Sequence, residues 1–288
     1  MAATPVSTKE KNMKKAKIAV ITWTYGIDDL ETLFAKIKET GFEAVQFSGN
    51  YRVHRANDVV ATAQKYDIEI LSYDPMSFKP FDDEKLTLKD AVKHYSDVIE
   101  YAKAIGAPMA TLQGLSYWTK EISDYEKAIQ FIIEAVRQLD KVAQNLNITL
   151  TYEACNQYEI PWVQTADELL RIHSESNAKK LLLVLDSFHM NICETDMLSP
   201  LRKIGKLLHS YHVSDSGRSG IGSGHIDYVA QYKVLQEIGF DGYVFFEFVL
   251  PEIRPYKLPM NEKQMEKSIQ QNKYSIQLWN AIAESSIK

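Results

Sequence analysis

The chain has 288 residues, 45% hydrophobic and 25% charged, with a formal net charge of −5 and two cysteines. That length and balance describe a folded globular domain with a large core, and exclude a disordered or fibrous chain. The negative charge offers no general attraction for nucleic-acid phosphates, no apolar run approaches the ~18 residues of a membrane helix, and Cys155 and Cys193 are too few for a disulfide framework.

The first 16 residues carry lysines but lack the apolar h-region of a signal peptide. They read as a short tail before a single domain over 17–288. In chain order the strand candidates are 18–22, 44–48, 68–73, 109–113, 148–153, 181–186, 210–214 and 243–248. Helix-like amphipathic stretches lie at 28–40, 57–66, 87–105, 123–145, 165–176, 199–208 and 228–238, with a C-terminal helix at about 262–283. Strands that alternate with helices in this number predict an α/β fold, the (β/α)8 TIM barrel. A doubly wound open sheet is the rival, but "ITWTYGIDD" after the first strand has no G-x-G-x-x-G phosphate turn. No Pro/Gly/Ser linker divides the chain.

Functional side chains of such a barrel gather at the C-terminal ends of the strands. The stretch "LVLDSFHMN" (183–191) shows why that matters: a buried apolar strand ends on Asp186, and His189 follows three residues later. A buried charge is costly unless a partner or a metal compensates it, so Asp186 is either a helix cap or part of a site. The last four strands close on Glu153, Asp186, His212 and Glu247. Taken singly, either glutamate can pair with a basic residue at the rim, and His212 can be a satisfied core histidine. Together, three carboxylates and one imidazole have the composition of a divalent-metal site. Oxygen-rich ligation suits Mn²⁺, the expected ion, or Mg²⁺, and the histidine also admits Zn²⁺ or Co²⁺.

These residues resemble the xylose-isomerase-like TIM barrels, within them the sugar isomerase and ketose 3-epimerase branch. The matching pieces are "TYEACNQYE" (151–159), "LDSFHMN" (185–191), "YHVSDSGRSGIGSGHIDY" (211–228) and "GFDGYVFFEF" (239–248). The first half of the chain matches only in its βα rhythm. The resemblance implies metal ligation by Glu153, Asp186, His212 and Glu247, and substrate contact by His189, Arg218 and Glu159. Ala154-Cys155 stands where the family more often has Pro-Leu, a departure that reshapes the pocket wall. His225 reads as a specificity or capping residue, and Asp227 as the N-cap of the next helix.

Removing a proton beside the carbonyl of a hydroxyketone creates an enediolate, which a divalent ion stabilises as a Lewis acid. Inverting the carbon needs a base on each face of that planar intermediate. Glu153 and Glu247 are the expected pair, which makes the chain a metal-dependent sugar isomerase acting on a ketose, most directly at C3. Hydroxypyruvate-type isomerisation and inosose dehydration use a similar site and differ only through pocket residues such as Trp23, Tyr73, Gln113 and Trp118. A non-catalytic sugar-binding barrel is more remote. So is an abasic-site endonuclease, which needs histidines at the ends of strands 3 and 4; here these read "SYDPM" and "LQGL". The expected partner is a small-molecule sugar, without nucleic acid or membrane, in the cytosol. The apolar positions Met265, Ile269, Ile276 and Leu278 are expected to pack on the barrel or on a second copy in a homo-oligomer.

Overall fold

A computed structural model describes residues 16–76, 81–254 and 257–285. The predicted tail therefore lies outside the described residues, apart from Ala16. Among the described residues, eight strands close into one parallel barrel in sequence order. They are β1 Lys17–Ile21, β2 Ala44–Ser48, β3 Glu69–Asp74, β4 Met109–Thr111, β5 Thr149–Glu153, β6 Leu181–Asp186, β7 Leu208–Val213 and β8 Tyr243–Phe246. Closure is through β1, which pairs with both β2 and β8. The helices are α1 Leu30–Thr40, α2 Ala56–Lys65, α3 Leu88–Ala104, α4 Leu115–Trp118, α5 Tyr125–Leu146, α6 Ala166–Ser176, α7 Ser187–Cys193, α8 Ser199–Ile204, α9 Tyr228–Glu237 and α10 Glu262–Ser285. No described helix is long and apolar enough to cross a membrane.

Helix starts are set by side chains that accept from otherwise unpaired backbone N–H groups. Asp29, Thr87, Asp124 and Asp227 cap α1, α3, α5 and α9, and Thr165 with Glu168 forms a capping box on α6. The predicted helix over 199–208 is shorter. It stops at Gly205, whose backbone (φ 54°, ψ −126°) leaves the helical region, and a single 3-10 turn leads straight into β7. The first strand ends one residue early because Thr22 opens a 3-10 turn, Thr22–Tyr25. The strand expected over 109–113 is paired only through Thr111, and 243–248 only through Phe246.

Two cores result. The larger one fills the space between the strands and the helix ring, with Phe34, Tyr95, Ile132, Leu183 and Trp279 among its members. The smaller one lies inside the barrel, built from Ala19, Ile21, Ala44, Leu71, Met109 and Phe245. Side chains alternate faces along a strand. In β8, Val244 and Phe246 face the helices, Phe245 faces inward, and Glu247 follows inward. The same alternation sends Leu150 and Tyr152 outward in β5, and Tyr211 and Val213 outward in β7, leaving Glu153 and His212 to the interior. Of the C-terminal apolar positions, Met265 and Ile269 are buried in the larger core and Ile276 and Leu278 pack half-buried against it. The helix is thus used by its own barrel.

Candidate metal centre and active site

Glu153 closes β5, Asp186 closes β6, His212 lies one residue before the end of β7, and Glu247 follows β8. Glu247 is held in line with the sheet by its N–H, which donates to the Val213 carbonyl at 3.1 Å. Asp186 and His212 are partners in register across β6 and β7. All four side chains are buried, and each supplies one donor atom to a group within 4.8 Å of one another. The His212 Nδ1 stands 3.0 Å from Glu247 Oε2 and 3.3 Å from Glu153 Oε1. Glu153 Oε1 and His212 Nε2 are buried with no hydrogen-bond partner among the described residues. Buried polar atoms in native proteins are overwhelmingly satisfied. An orphaned carboxylate oxygen within a set of three carboxylates and an imidazole fits a divalent cation.

Asp186 is both of the things its position allowed. Its Oδ1 accepts from the Phe188 N–H at 2.6 Å as the N-cap of α7, and its Oδ2 pairs with Arg218 at 2.6 Å. Burial pushes its carboxyl up to about 7 despite the Arg218 guanidinium, which opposes the rise. Arg218 also reaches Glu247 Oε1 at 3.0 Å and lies 4.9 Å over the Phe188 ring. Its backbone is left-handed (φ 59°), uncommon outside glycine and asparagine. Burial raises Glu247, but the charges of Arg218 and His212 outweigh it and hold the carboxyl well below its ordinary range. For His212 burial acts downward, and the Glu153 and Glu247 charges overcome it to raise the imidazole.

His189 comes from α7 and turns its ring into the same cavity. Its Nδ1 accepts from the Asn156 backbone N–H at 3.3 Å and lies 2.8 Å from the Asn156 side-chain amide. A nitrogen that accepts carries no proton, so the hydrogen of the neutral ring sits on Nε2. That Nε2 is 3.8 Å from Glu153 and 3.9 Å from Glu159. Burial keeps the ring neutral by pushing its pKa well down. Asn156 also donates to Glu159 at 2.9 Å. The expected substrate-facing trio of His189, Arg218 and Glu159 therefore lines one cavity of about 290 Å³, with Asn156 as the residue that sets His189 and Glu159.

Among the other named positions, Trp23 reaches the site, its indole N–H donating to Glu247 Oε1 at 2.9 Å. Cys155 lines the cavity and burial pushes its thiol up. Tyr73 and Trp118 are core packing, whereas Gln113 lines the cavity. His225 is exposed and ties its loop to Asn191 at 3.0 Å, while Asp227 caps α9 as expected. Sequence reasoning missed Asp74 and Gln46, both buried in the cavity wall. The signal for Asp74 was present: like Asp186, it ends a strand of mostly apolar residues.

A closed parallel barrel with three carboxylates and an imidazole gathered at the C-terminal ends of four successive strands defines a (β/α)8 barrel whose buried group could hold a metal ion, at the end of the barrel where such folds carry their sites. Its first-half strands complete the same cavity. The chain belongs to the family described as Xylose isomerase-like TIM barrel, which matches residues 34–272. It is similar to a ketose 3-epimerase of Arthrobacter globiformis, 36% identical over 113 residues, which is 39% of each chain. A D-psicose 3-epimerase of Ruminiclostridium cellulolyticum is 28% identical over 166 residues, 55% of each chain. A 3-dehydro-D-guloside 4-epimerase of Escherichia coli is 23% identical over 235 residues, 74% of this chain and 85% of that one. The sequence matches thus span from about two fifths to just over half the length of the first two relatives. The fold is shared more widely. The crystal structure of D-psicose 3-epimerase with D-tagatose from Clostridium cellulolyticum H10 superimposes with a TM-score of 0.78 at 21% identity, covering 93% of this chain and 99% of that one.

Proposed function

We propose that this chain is a divalent-metal-dependent ketose epimerase that inverts C3 of a small sugar. The observation that carries the reading is the pair Glu153 and Glu247. They enter one cavity from β5 and β8, and the His212 Nδ1 stands 3.3 Å and 3.0 Å from their carboxylates. Glu153, Asp186, His212 and Glu247 would hold the ion, Mn²⁺ first among the candidates because three of the four donors are carboxylates. Bound there, the ion would supply Lewis-acid stabilisation of negative charge on the substrate oxygens.

The residues of the chain do the rest. Glu247 is held ionised by Arg218 and His212, as a base must be. Glu153 keeps one oxygen without a hydrogen-bond partner, free to exchange a proton. One carboxylate takes the C3 proton from one face, and the other carboxyl returns a proton to the opposite face, so the carbon is inverted with no net change in protons. The His189 Nε2–H donates toward substrate oxygen, and Glu159 accepts a hydroxyl. Phe188, Cys155 and Val249 supply apolar wall that limits water.

The test is solvent hydrogen exchange. Protein stripped with chelator and restored with Mn²⁺ is incubated in D₂O with ketoses, inososes and hydroxypyruvate, and NMR locates the deuterium. The expected label is at C3 of a ketose, reduced at least about 100-fold in Glu153→Gln and in Glu247→Gln. Label at C1 would replace epimerisation by aldose–ketose isomerisation. Full activity in either variant would end the two-base mechanism.

A further inference from the structure

The metal ligands occupy only half of the cavity mouth, the ends of β5 to β8. The opposite wall comes from β2, β3 and β4, and it is polar: Gln46, Asp74 and Gln113 are all at least nine-tenths buried and all line the cavity. The strands explain this. Ala44 and Gln46 face inward in β2 while Val45 and Phe47 face the helices; Met109 faces inward in β4 while Ala110 and Leu112 face out, and Gln113 continues the inward row. Asp74 Oδ1 accepts from the Met76 N–H at 2.8 Å and Oδ2 from the Gln113 amide at 2.9 Å. Gln113 thus spends a donor on fixing Asp74. The Gln46 side chain makes no hydrogen bond to any described residue, although only 2% of the residue is exposed.

Asp74 has no cation within ion-pair distance among the described residues, unlike Asp186, which has Arg218. Burial pushes its carboxyl up to about 6, and the Glu247 and Glu153 charges add to the rise. Asp74 and Gln46 thus present to the cavity hydrogen-bonding capacity that no described side chain uses, and a buried carboxylate without a cation is costly for a residue with only a packing role. Each carboxylate oxygen accepts one protein N–H and retains a further lone pair. What completes both groups is a neutral hydroxyl donor. An anion there would face the Asp74 carboxylate, and the two guanidinium groups of the cavity are engaged elsewhere, Arg218 with Asp186 and Glu247 and Arg254 with Ser219.

We propose that Gln46, Asp74 and Gln113 form a hydroxyl-reading subsite for the non-reacting end of the substrate, which is therefore an unphosphorylated polyol with a hydroxyl donor at that end. This rests on the proposed epimerase reading, which places the reacting carbons at Glu153 and Glu247. Gln113 is a positioning residue for Asp74, and Gln46 and Asp74 determine specificity.

The experiment uses full-length Mn²⁺-restored protein and deuterium exchange, with D-psicose and D-tagatose, their 4-, 5- and 6-deoxy analogues, and D-psicose 6-phosphate as probes. Wild type is expected to prefer a parent ketose over one deoxy analogue by roughly 10- to 100-fold in kcat/KM, the range of a hydrogen bond to a charged group. It should reject the phosphate. Asp74→Asn and Asp74→Ala should raise KM for the parent by a similar factor, leave kcat within about threefold, and abolish the preference over that analogue. A merely structural role would not remove discrimination at one hydroxyl. The inference is overturned if wild type exchanges parent and all deoxy analogues equally, if the 6-phosphate is preferred, or if Asp74→Ala leaves KM unchanged. In those cases the epimerase reading stands. If wild type itself exchanges no ketose, that reading fails and the subsite falls with it.

Discussion

Asp74 makes a measurable prediction about stability as well as specificity. Its folded carboxyl, at about 6, lies above its ordinary 3.8 because of burial, with Glu247 and Glu153 adding and His212 opposing. Between those values the folded state binds more protons than the unfolded one, so this group lowers stability as pH rises through the window. The destabilisation is absent well below pH 4 and complete above about pH 7, where it reaches roughly 3 kcal/mol. In chelator-treated protein, Asp74→Asn should therefore be more stable than wild type at pH 8 and gain progressively less as pH falls toward 4.5. Urea unfolding at the two pH values checks this, and a difference that does not change with pH would show that the Asp74 carboxyl ionises as readily in the folded protein as in the unfolded chain. The residue also shows what a sequence does and does not disclose. Glu153, Asp186, His212 and Glu247 were legible because four chemically compatible residues fell at four consecutive strand ends. Gln46 was not, and Asp74, although it ends a strand as Asp186 does, stood alone, and one carboxylate or one amide in an apolar run has several ordinary readings. Only the barrel's closure shows that both face the same space as Glu153 and Glu247. Asn156 lies within the matching stretch "TYEACNQYE", but its grip on His189 needed α7, which brings residues 156 and 189 together.

At the scale of elements, the eight-strand rhythm was fully legible, since each strand is a short apolar run and each intervening helix has a clear amphipathic period. Ends were less so. The pairing of β4 stops at Thr111 although the apolar pattern continues, and α7 is seven residues with too little length for a period to show. The glycine in "GFDGY" now has a physical reason. A Cβ at Gly242 would stand 2.0 Å from the His209 carbonyl oxygen, so β8 enters the sheet against β7 only because that atom is missing. Gly242→Ala must push the two strands apart at their start, and these strands carry His212 and position Glu247. Overpacking of this kind costs about 1–3 kcal/mol, and backbone has less freedom than a side-chain tip to yield. The variant is expected to melt several degrees lower and to bind Mn²⁺ more weakly than wild type. Calorimetry with and without the metal measures both, and an unchanged melting temperature would mean that the β7–β8 approach is softer than the packing indicates.

For the whole molecule, the barrel divides its labour: β5 to β8 bring the proposed cation ligands, and β2 to β4 bring the polar wall. Without a cation, the second half holds three buried carboxylates against one guanidinium and one imidazole. Protons supply part of the missing positive charge. Asp186 is pushed up to about 7 by burial, and the Glu153 and Glu247 charges raise His212 against the opposing effect of burial. A divalent ion needs those donors deprotonated, so it competes with protons and its affinity must fall as pH falls. Binding to the folded state alone stabilises by RT ln(1 + [L]/Kd), about 2.7 kcal/mol at a hundredfold excess over Kd. At one fixed Mn²⁺ concentration, the melting temperature should therefore rise clearly at pH 8 and much less at pH 6, on opposite sides of the Asp186 titration. Asp186→Asn should show little rise at either pH. Asn still caps a helix about as well as Asp, so α7 keeps its start while a ligand charge is lost. Equal Mn²⁺ shifts at both pH values would place the ion somewhere other than this cluster. A shift at pH 8 that vanishes in Asp186→Asn would tie it to the four strand ends.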